Sequence, residues 1–143
     1  MSKYIIWRSN EVHTFGESDI TALDIARYVI AISNKENLKV NNITLQWLLF
    51  IINRRYKNKF GYYIFYDSLV KEQYYPKYES VYYEFCGFGA LPIRLPLRNS
   101  DFIPIQKDVF EIVKSVVLAD GNLNLYEMYQ KYLAEYEEAE YDT

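Results

Sequence analysis

The apolar segment WLLFII, residues 47–52, constrains the fold of this 143-residue chain more than any other feature of the sequence. A helix on the surface of a protein has one polar face, whereas this segment has no polar residue at all. It lies within ITLQWLLFIINRRY, which Asn41 or Asn42 can cap and which Gly61 ends. The sequence therefore predicts a central helix that other elements cover on most sides. The segment is too short to cross a bilayer, so no membrane span is expected.

Four further helices are predicted from capping residues and from apolar residues that recur every three or four positions. They run from about Asp19 to Asn34 after the cap Ser18, from Pro76 to Phe85, from Asp108 to Gly121, and onward from Asn124. Proline suits the first turn of a helix because its missing N–H needs no partner there. The helix that follows Pro76 is predicted to place one face in the core, formed by Tyr78, Val81, Tyr82 and Phe85.

Two segments are predicted to be extended. YYIFY, residues 62–66, is aromatic and β-branched and is bounded by Gly61 and Asp67, which is typical of a short strand. In FGALPIRLPLR, residues 88–98, apolar residues alternate with proline and arginine. That segment is either an edge strand or a polyproline-like strap, with its leucines inward and Arg94 and Arg98 outward. The predicted fold class is mostly α, with about four to five helices and a small β element in a single domain.

The negative charge of the chain is concentrated at its carboxyl end. The net charge is −3, but from Tyr132 onward there are five carboxylates and no lysine or arginine. Residues 1–131 hold sixteen basic and fourteen acidic side chains, so their net charge is +2. We therefore divide the chain into an N-terminal extension (1–18), a helical domain (19–133) and an acidic C-terminal tail (134–143).

The sequence offers few candidates for catalysis. His13 is the single histidine and has no cysteine or carboxylate at ligand spacing, so neither a metal site nor a cofactor is expected. Cys86, the single cysteine, is interpreted as a small buried thiol, although a pair of Cys86 with His13, and with it a hydrolase, stays open. The sequence contains neither a glycine-rich phosphate loop nor a serine-centred elbow. We expect a protein that is not an enzyme.

The expected compartment is the cytoplasm. A single cysteine excludes an internal disulfide and fits a reducing environment. The opening segment MSKYIIWRSN has no long apolar run and no small-residue cleavage site, so no signal peptide is expected.

Tyrosine is unusually abundant, with 16 in the chain and five of them in KEQYYPKYESVYYEF, residues 71–85. Tyr74 and Tyr75 precede Pro76 and do not fall on the predicted core face, so we expect both rings to be exposed. Exposed tyrosines are favoured anchors of protein interfaces, and an acidic tail attracts a basic partner. We predict a partner-binding surface formed by Tyr74 and Tyr75 with nearby and tail carboxylates, namely Glu72, Glu135, Glu137, Glu138 and Glu140.

A second candidate surface is basic. Arg54 and Arg55 belong to RRYKNK, residues 54–59, which can contact phosphate or can face solvent at a helix end, where the helix dipole favours cations. Arg94 and Arg98 are the other members of this candidate surface. The acidic balance of the whole chain argues against a dedicated nucleic-acid binder, so direct binding of nucleic acid is not expected.

Three segments resemble motifs of one known family. ITLQWLLF is similar to that family's itnLKLQKLLYF helix, YYPKYESVYYEF to its hGPVvpeVYkeF motif, and DVFEIVKSVV…GNLNLYEMY to its final helix pair. The matching positions in the first two motifs are Leu45, Gln46, Leu48, Leu49, Phe50, Pro76, Val81, Tyr82 and Phe85. In the order and spacing of these motifs, residues 20–133 resemble the Panacea domain family, also described as SocA-like antitoxins and GepA-like phage-associated proteins.

The chain departs from that family at its most recognisable site. Lys71 and Glu72 stand where the family usually has Ala-Trp, and Tyr75 stands where it usually has glycine. If this site contacts a partner in the family, the partner of this chain can differ.

The resemblance implies a non-catalytic protein, encoded on a phage or another mobile element, that binds and inactivates a toxin inside a bacterial cell. An alternative keeps the mechanism but makes the target a host defence nuclease, as for an anti-CRISPR protein, because carboxylates and tyrosines can occupy a groove built for nucleic acid. Either partner is expected to be a protein with a basic surface. A nucleic-acid-binding regulator and a hydrolase at Cys86 are the remaining alternatives.

Overall fold

The central helix is α2, Asn42–Phe60, in the computed structural model, which describes residues 19–141. Its N-cap, Asn41, accepts a hydrogen bond from the N–H of Thr44 and donates its own N–H to the Thr44 hydroxyl, each at 2.9 Å. This capping box satisfies two N–H groups that lack partners within the helix. Gly61 ends the helix with φ of 90°, a conformation that favours glycine. Residues 47–52 are all buried, which confirms the prediction of a covered central helix.

The other elements pack around α2. They are α1 (Ala22–Lys35), the strands β1 (Leu69–Lys71) and β2 (Pro76–Tyr78), α3 (Glu79–Phe85), α4 (Lys107–Asp120) and α5 (Leu125–Glu138). The prediction of a mostly α single domain with a small β element is confirmed.

The prediction that the first helix starts at Asp19 is wrong. Thr21 is the N-cap of α1, because its hydroxyl accepts the N–H of Asp24 at 3.2 Å and the Asp24 carboxylate accepts the N–H of Thr21 at 2.9 Å. The predicted cap, Ser18, lies outside the described residues. The first N–H of the helix, that of Ala22, donates to the carboxylate of Asp67 at 2.9 Å and so ties α1 to the segment before β1.

The prediction that Asp108 caps the fourth helix is also wrong. The N-cap of α4 is Gln106, which makes no capping bond with its side chain, and Asp108 lies in the first turn. A carboxylate in that turn still interacts favourably with the positive end of the helix dipole. The predicted end at Gly121 is confirmed. A Cβ atom there would approach the main-chain carbonyl oxygen of Val117 to 2.5 Å, a contact that a side chain cannot relieve by moving, so the packing favours glycine.

The predicted strand at residues 62–66 is not formed. The N–H groups of Ile64 and Phe65 donate to Asn53 Oδ1, at 2.8 and 3.2 Å, and Asn53 Nδ2 donates to the Phe65 carbonyl at 2.9 Å. A buried asparagine of α2 therefore takes the place of a neighbouring strand.

Strands instead flank the turn that follows, and β1 pairs with β2 in an antiparallel hairpin that places Lys71 opposite Pro76. The prediction that Pro76 opens a helix is wrong, since Pro76 is the first residue of β2, a position where a strand tolerates proline. The predicted core face is confirmed for Tyr78, Val81 and Phe85, which are buried, whereas Tyr82 is half-buried.

Residues 92–98 belong to no helix and pair with no strand of the described chain, so the edge-strand alternative is wrong. The N–H of Ile93 donates to the carbonyl of Val40 at 2.9 Å, and the Ile93 side chain is buried. Leu91 contradicts the prediction of inward leucines, because a turn in which its N–H donates to the Phe88 carbonyl leaves its side chain exposed. The remaining residues follow the prediction, with Leu95 and Leu97 half-buried and Arg94 and Arg98 exposed.

Candidate partner-binding face

The hairpin positions the predicted tyrosines. At its turn, the N–H of Glu72 donates to the Tyr75 carbonyl at 3.0 Å, and the Glu72 carboxylate forms an ion pair of 2.9 Å with Lys77 on β2. Both contacts close the turn, and the Tyr74 ring beside it is 48% exposed. Exposure of Tyr74 was predicted from the sequence and is confirmed.

Helix α5 contacts the hairpin through its tyrosine side chains. The hydroxyl of Tyr136 donates to the carbonyl of Tyr75 at 3.1 Å. The rings of Tyr74 and Tyr129 meet edge to face with centroids 5.5 Å apart, a favourable geometry for aromatic pairs. The structure therefore packs the hairpin against α5, through Tyr129 and Tyr136 and not through the predicted tail carboxylates.

The sequence of α5 explains why it lies across the hairpin. Asn124 caps it as predicted, with its side chain accepting the N–H of Glu127 at 2.9 Å. Met128, Tyr132 and Tyr136 are buried, and the Tyr136 ring lies 5.4 Å from that of Trp47 on the central helix. Because this face continues to Tyr136, α5 extends past residue 133, the predicted end of the helical domain, and ends at Glu138.

The side of α5 next to this buried face carries a row of partly exposed apolar side chains. Tyr126 and Tyr129 are three positions apart and share one side of the helix, and Leu133 follows directly after the non-helical backbone at Tyr132. Tyr126 is 70% exposed, and Tyr129 and Leu133 are half-buried. We call Tyr74 together with this row the hairpin–α5 face. Tyr126 was not singled out from the sequence, although its position off the apolar stripe of α5 is the same signal that identified Tyr74.

The prediction that the Tyr75 ring is exposed is wrong. Its ring is half-buried and stacks on Tyr82, with centroids 6.5 Å apart and an interplanar angle of 26°. Burial raises the pKa of Tyr75 above its ordinary value and raises the pKa of Tyr136 to about 12. These shifts keep both hydroxyls protonated above pH 10, where an ordinary tyrosine ionises, so the Tyr136 hydroxyl remains a hydrogen-bond donor there.

The predicted tail carboxylates differ in their surroundings. Glu137, Glu138 and Glu140 are exposed, whereas Glu135 is half-buried. Glu138 forms an ion pair of 3.7 Å with Arg54, a residue of the second candidate surface. Exposed ion pairs of this kind contribute little to stability, but this one holds a tail carboxylate beside α2.

The four arginines of the second candidate surface are anchored to different parts of the fold. The Arg54 guanidinium lies over the ring of Phe50, with Cζ 5.5 Å from the centroid. Arg55 donates to the Tyr132 hydroxyl at 3.1 Å, and Arg94 donates to Asn34 Oδ1 at 2.9 Å. The main-chain N–H of Arg98 donates to Asp101 Oδ2 at 2.7 Å. These contacts do not assemble the four side chains into one site.

A buried carboxylate joins the last two helices. Asp120, which has no exposed surface, accepts hydrogen bonds from the Tyr132 hydroxyl and from Lys131 Nζ, the latter at 2.6 Å. Burial, and then the hydrogen bond to Asp120, raise the pKa of Tyr132. A buried charge is tolerated only when it is paired in this way, so we interpret the cluster as a structural link between α4 and α5.

The candidates for chemistry do not converge. Cys86 is exposed, which corrects its interpretation as a buried thiol, because the 3₁₀ helix Cys86–Phe88 turns its side chain outward after α3. His13 and the predicted extension 1–18 lie outside the described residues. Within residues 19–141, no group of three or more His, Cys, Asp or Glu side chains is arranged to hold a metal ion. In the same range, no helix has the length and apolarity needed to cross a membrane.

No family model, curated protein or solved structure matches the chain. The resemblance to the Panacea domain family thus remains a prediction from the motifs quoted above.

Proposed function

We propose that this protein is a non-catalytic binding protein that inactivates a partner protein by direct contact, in the manner of an antitoxin. The observation that carries the proposal is the hairpin–α5 face, where Tyr74 packs against Tyr129 and the neighbouring Tyr126 is 70% exposed. Tyrosine rings held rigidly by neighbouring rings supply contact area at low cost in conformational entropy. Such residues are typical of the energetic centre of a protein interface.

The charge beside this face indicates the chemistry of the partner. Glu137, Glu138 and Glu140 are exposed at the end of α5 and just beyond it, in a stretch with no lysine or arginine after residue 131. A concentrated negative charge speeds the encounter with a positively charged surface. We infer a partner with a basic surface, and by resemblance to the Panacea family a toxin in the cytoplasm of a bacterial host.

A host defence nuclease is the second candidate target. This target is favoured because α5 carries both exposed tyrosine and exposed carboxylate side chains, for example Tyr126 and Glu137. A nucleic-acid groove accepts stacked rings and negative charge, so the same face fits such a groove. This target would make the protein an inhibitor of the anti-CRISPR type.

Growth rescue tests the proposed function. Each protein encoded beside this gene would be expressed in a bacterial host, with and without this chain. We expect one of them to be toxic alone and harmless in its presence. The double variant Tyr74→Ala/Tyr126→Ala should lose the rescue. Tyr66→Ala is the matched control, because Tyr66 is 44% exposed but does not belong to the hairpin–α5 face.

Two results would count against the proposal. One is rescue by the double variant at the level of the parent, with both proteins folded by circular dichroism. The other is the absence both of a rescued toxin and of a nuclease whose cleavage is blocked when purified chain is added. A nuclease that the parent inhibits and the double variant does not would select the second target.

A further inference from the structure

An open cavity of about 360 Å³ lies between the second half of α2, residues 63–69 and the residues that follow α5. Its volume is within the range of small-molecule sites. Six of its lining residues are aromatic, namely Phe50, Tyr63, Phe65, Tyr66, Tyr78 and Tyr141. The Tyr63 and Tyr66 rings meet edge to face at 5.7 Å, and Tyr66 is partly open to solvent. The walls therefore offer aromatic surface on which a flat ligand can stack.

The polar groups of the cavity differ in whether other groups of the protein already bind them. Asn53 and Asp67 are engaged by the main chain, through the N–H groups of Phe65 and Ala22 among others. Arg54 Nε is buried and has no hydrogen-bond partner among the described residues, and the Glu140 carboxylate lies on the wall formed by the tail. Rotation of the Arg54 side chain away from Glu138, its ion-pair partner at 3.7 Å, would let a ligand accept a hydrogen bond from the guanidinium and donate one to Glu140.

These groups discriminate among classes of ligand. A cation would leave the donor of Arg54 unpaired beside a like charge, and a buried donor without a partner is costly. An anion would face the carboxylates of Asp67 and Glu140. A purely apolar ligand would satisfy neither polar group. A flat aromatic heterocycle with both donors and acceptors on its edge satisfies the rings and the polar groups together.

We propose that this cavity binds a nucleoside, with its base stacked on the Tyr63–Tyr66 wall and its edge between Arg54 and Glu140. The cavity shares none of its lining residues with the hairpin–α5 face, although its tail wall includes Glu140, one of the carboxylates proposed to attract the partner. The base can come from a free nucleoside or from a nucleotide unit of a single strand. Because two carboxylates line the cavity, a free nucleoside should bind more tightly than its monophosphate.

The test is a titration of the full chain with adenosine, cytidine and uridine, with their 5′-monophosphates, and with single-stranded oligonucleotides. Binding would be followed by calorimetry and by amide chemical shifts. We expect nucleosides to bind at millimolar concentrations or below and to shift the amide signals of residues 63–67 and 139–141. Tyr66→Ala should weaken binding about fivefold or more, as removal of a stacking ring does. Arg54→Met should weaken it about tenfold, because a hydrogen bond from a charged donor is lost.

Two control variants test whether a loss of nucleoside binding comes from the cavity or from a general loss of structure. Tyr74→Ala removes a ring of similar exposure outside the cavity, and Arg55→Met removes the neighbouring arginine, which does not line it. Both should bind nucleosides as the parent does. If only oligonucleotides bind, and Tyr66→Ala weakens that binding, the stacked base comes from a single strand and not from a free nucleoside. The proposal is overturned if no nucleoside, nucleotide or oligonucleotide binds, or if Tyr66→Ala, folded by circular dichroism, binds like the parent.

Discussion

The hydroxyl of Tyr136 donates a hydrogen bond of 3.1 Å to the main-chain carbonyl of Tyr75, which joins the last helix to the turn of the β-hairpin. The Tyr136 ring also packs against Trp47 on the central helix. Through these two contacts, Tyr136 connects the core to a turn on the surface. The exposed ring of Tyr74, one residue before Tyr75, is fixed relative to α5 by the same contact.

The first prediction tests this link. Tyr136→Phe keeps the ring but removes the donor, and should lower the free energy of unfolding by about 0.5–1.5 kcal/mol. The turn should open more often, so hydrogen exchange of the Glu72 amide should become faster. Tyr126→Phe, which removes an exposed hydroxyl from the same helix, should change neither quantity. Equal exchange at Glu72 in both variants would show that the bond does not hold the turn.

The second prediction concerns the central helix. Leu49 is completely buried on α2, and Leu49→Ala should lower the free energy of unfolding by about 2–5 kcal/mol in urea titrations. Leu91→Ala is the control, since Leu91 is 69% exposed and surface changes usually stay within about 0.5 kcal/mol. A change below about 1 kcal/mol for Leu49→Ala would contradict the all-round burial of this helix.

The third prediction is a loss of stability in alkali. Burial raises the pKa of Tyr136 from the ordinary value of 10.0 to about 12, and it also raises the pKa of Tyr132. In the unfolded chain these hydroxyls ionise near pH 10, while in the folded chain they stay protonated. The unfolded state therefore binds fewer protons in this range, and the free energy of unfolding should fall as the pH rises from 10 to about 12.

The measurement is urea unfolding at several pH values, with tyrosine ionisation followed by ultraviolet absorbance. Tyr136→Phe should reduce the slope of stability against pH between 10 and about 12, because it removes one of the shifted groups. Constant stability across this interval would contradict the burial of these tyrosines.

The fourth prediction concerns the buried carboxylate. Asp120→Asn removes the charge that Lys131 and the Tyr132 hydroxyl bind, and should lower the free energy of unfolding by about 1.5–3 kcal/mol. Asp108→Asn, in the first turn of the same helix, should cost about 0.3–1 kcal/mol through the helix dipole. Urea titrations of both variants would test the difference. Equal losses would mean that Asp120 does not link α4 to α5.

The parts of the fold that the sequence predicted correctly depend on local patterns. The all-round apolar character of residues 47–52 and the caps Asn41 and Asn124 are readable without knowledge of distant contacts. The strand at residues 62–66 was predicted wrongly because Asn53, a distant side chain, satisfies its backbone. Pro76 was placed in a helix because the first turn of a helix and the first residue of a strand both accept proline.

The candidate face shows the same limit. The exposure of Tyr74 follows from its position off the core stripe, and the same reasoning applied to α5 would have found Tyr126. The half-burial of Tyr75 could not be predicted from the sequence, because it depends on contact with the ring of Tyr82, a residue of α3. The ion pair of Glu138 with Arg54 joins two surfaces that the sequence presents as separate, since only the fold brings α5 beside α2.

The kinetics of binding to the purified partner test the claim that the hairpin–α5 face is the interface most directly. Tyr74→Ala/Tyr126→Ala should speed dissociation about 30-fold or more, as loss of a central anchor worth about 2 kcal/mol does. Replacement of Glu137, Glu138 and Glu140 by glutamine should slow association and flatten its dependence on salt, with little effect on dissociation. Tyr66→Ala should match the parent in both rates. If the double tyrosine variant and the glutamine variant both bind as the parent does, the hairpin–α5 face is not the interface.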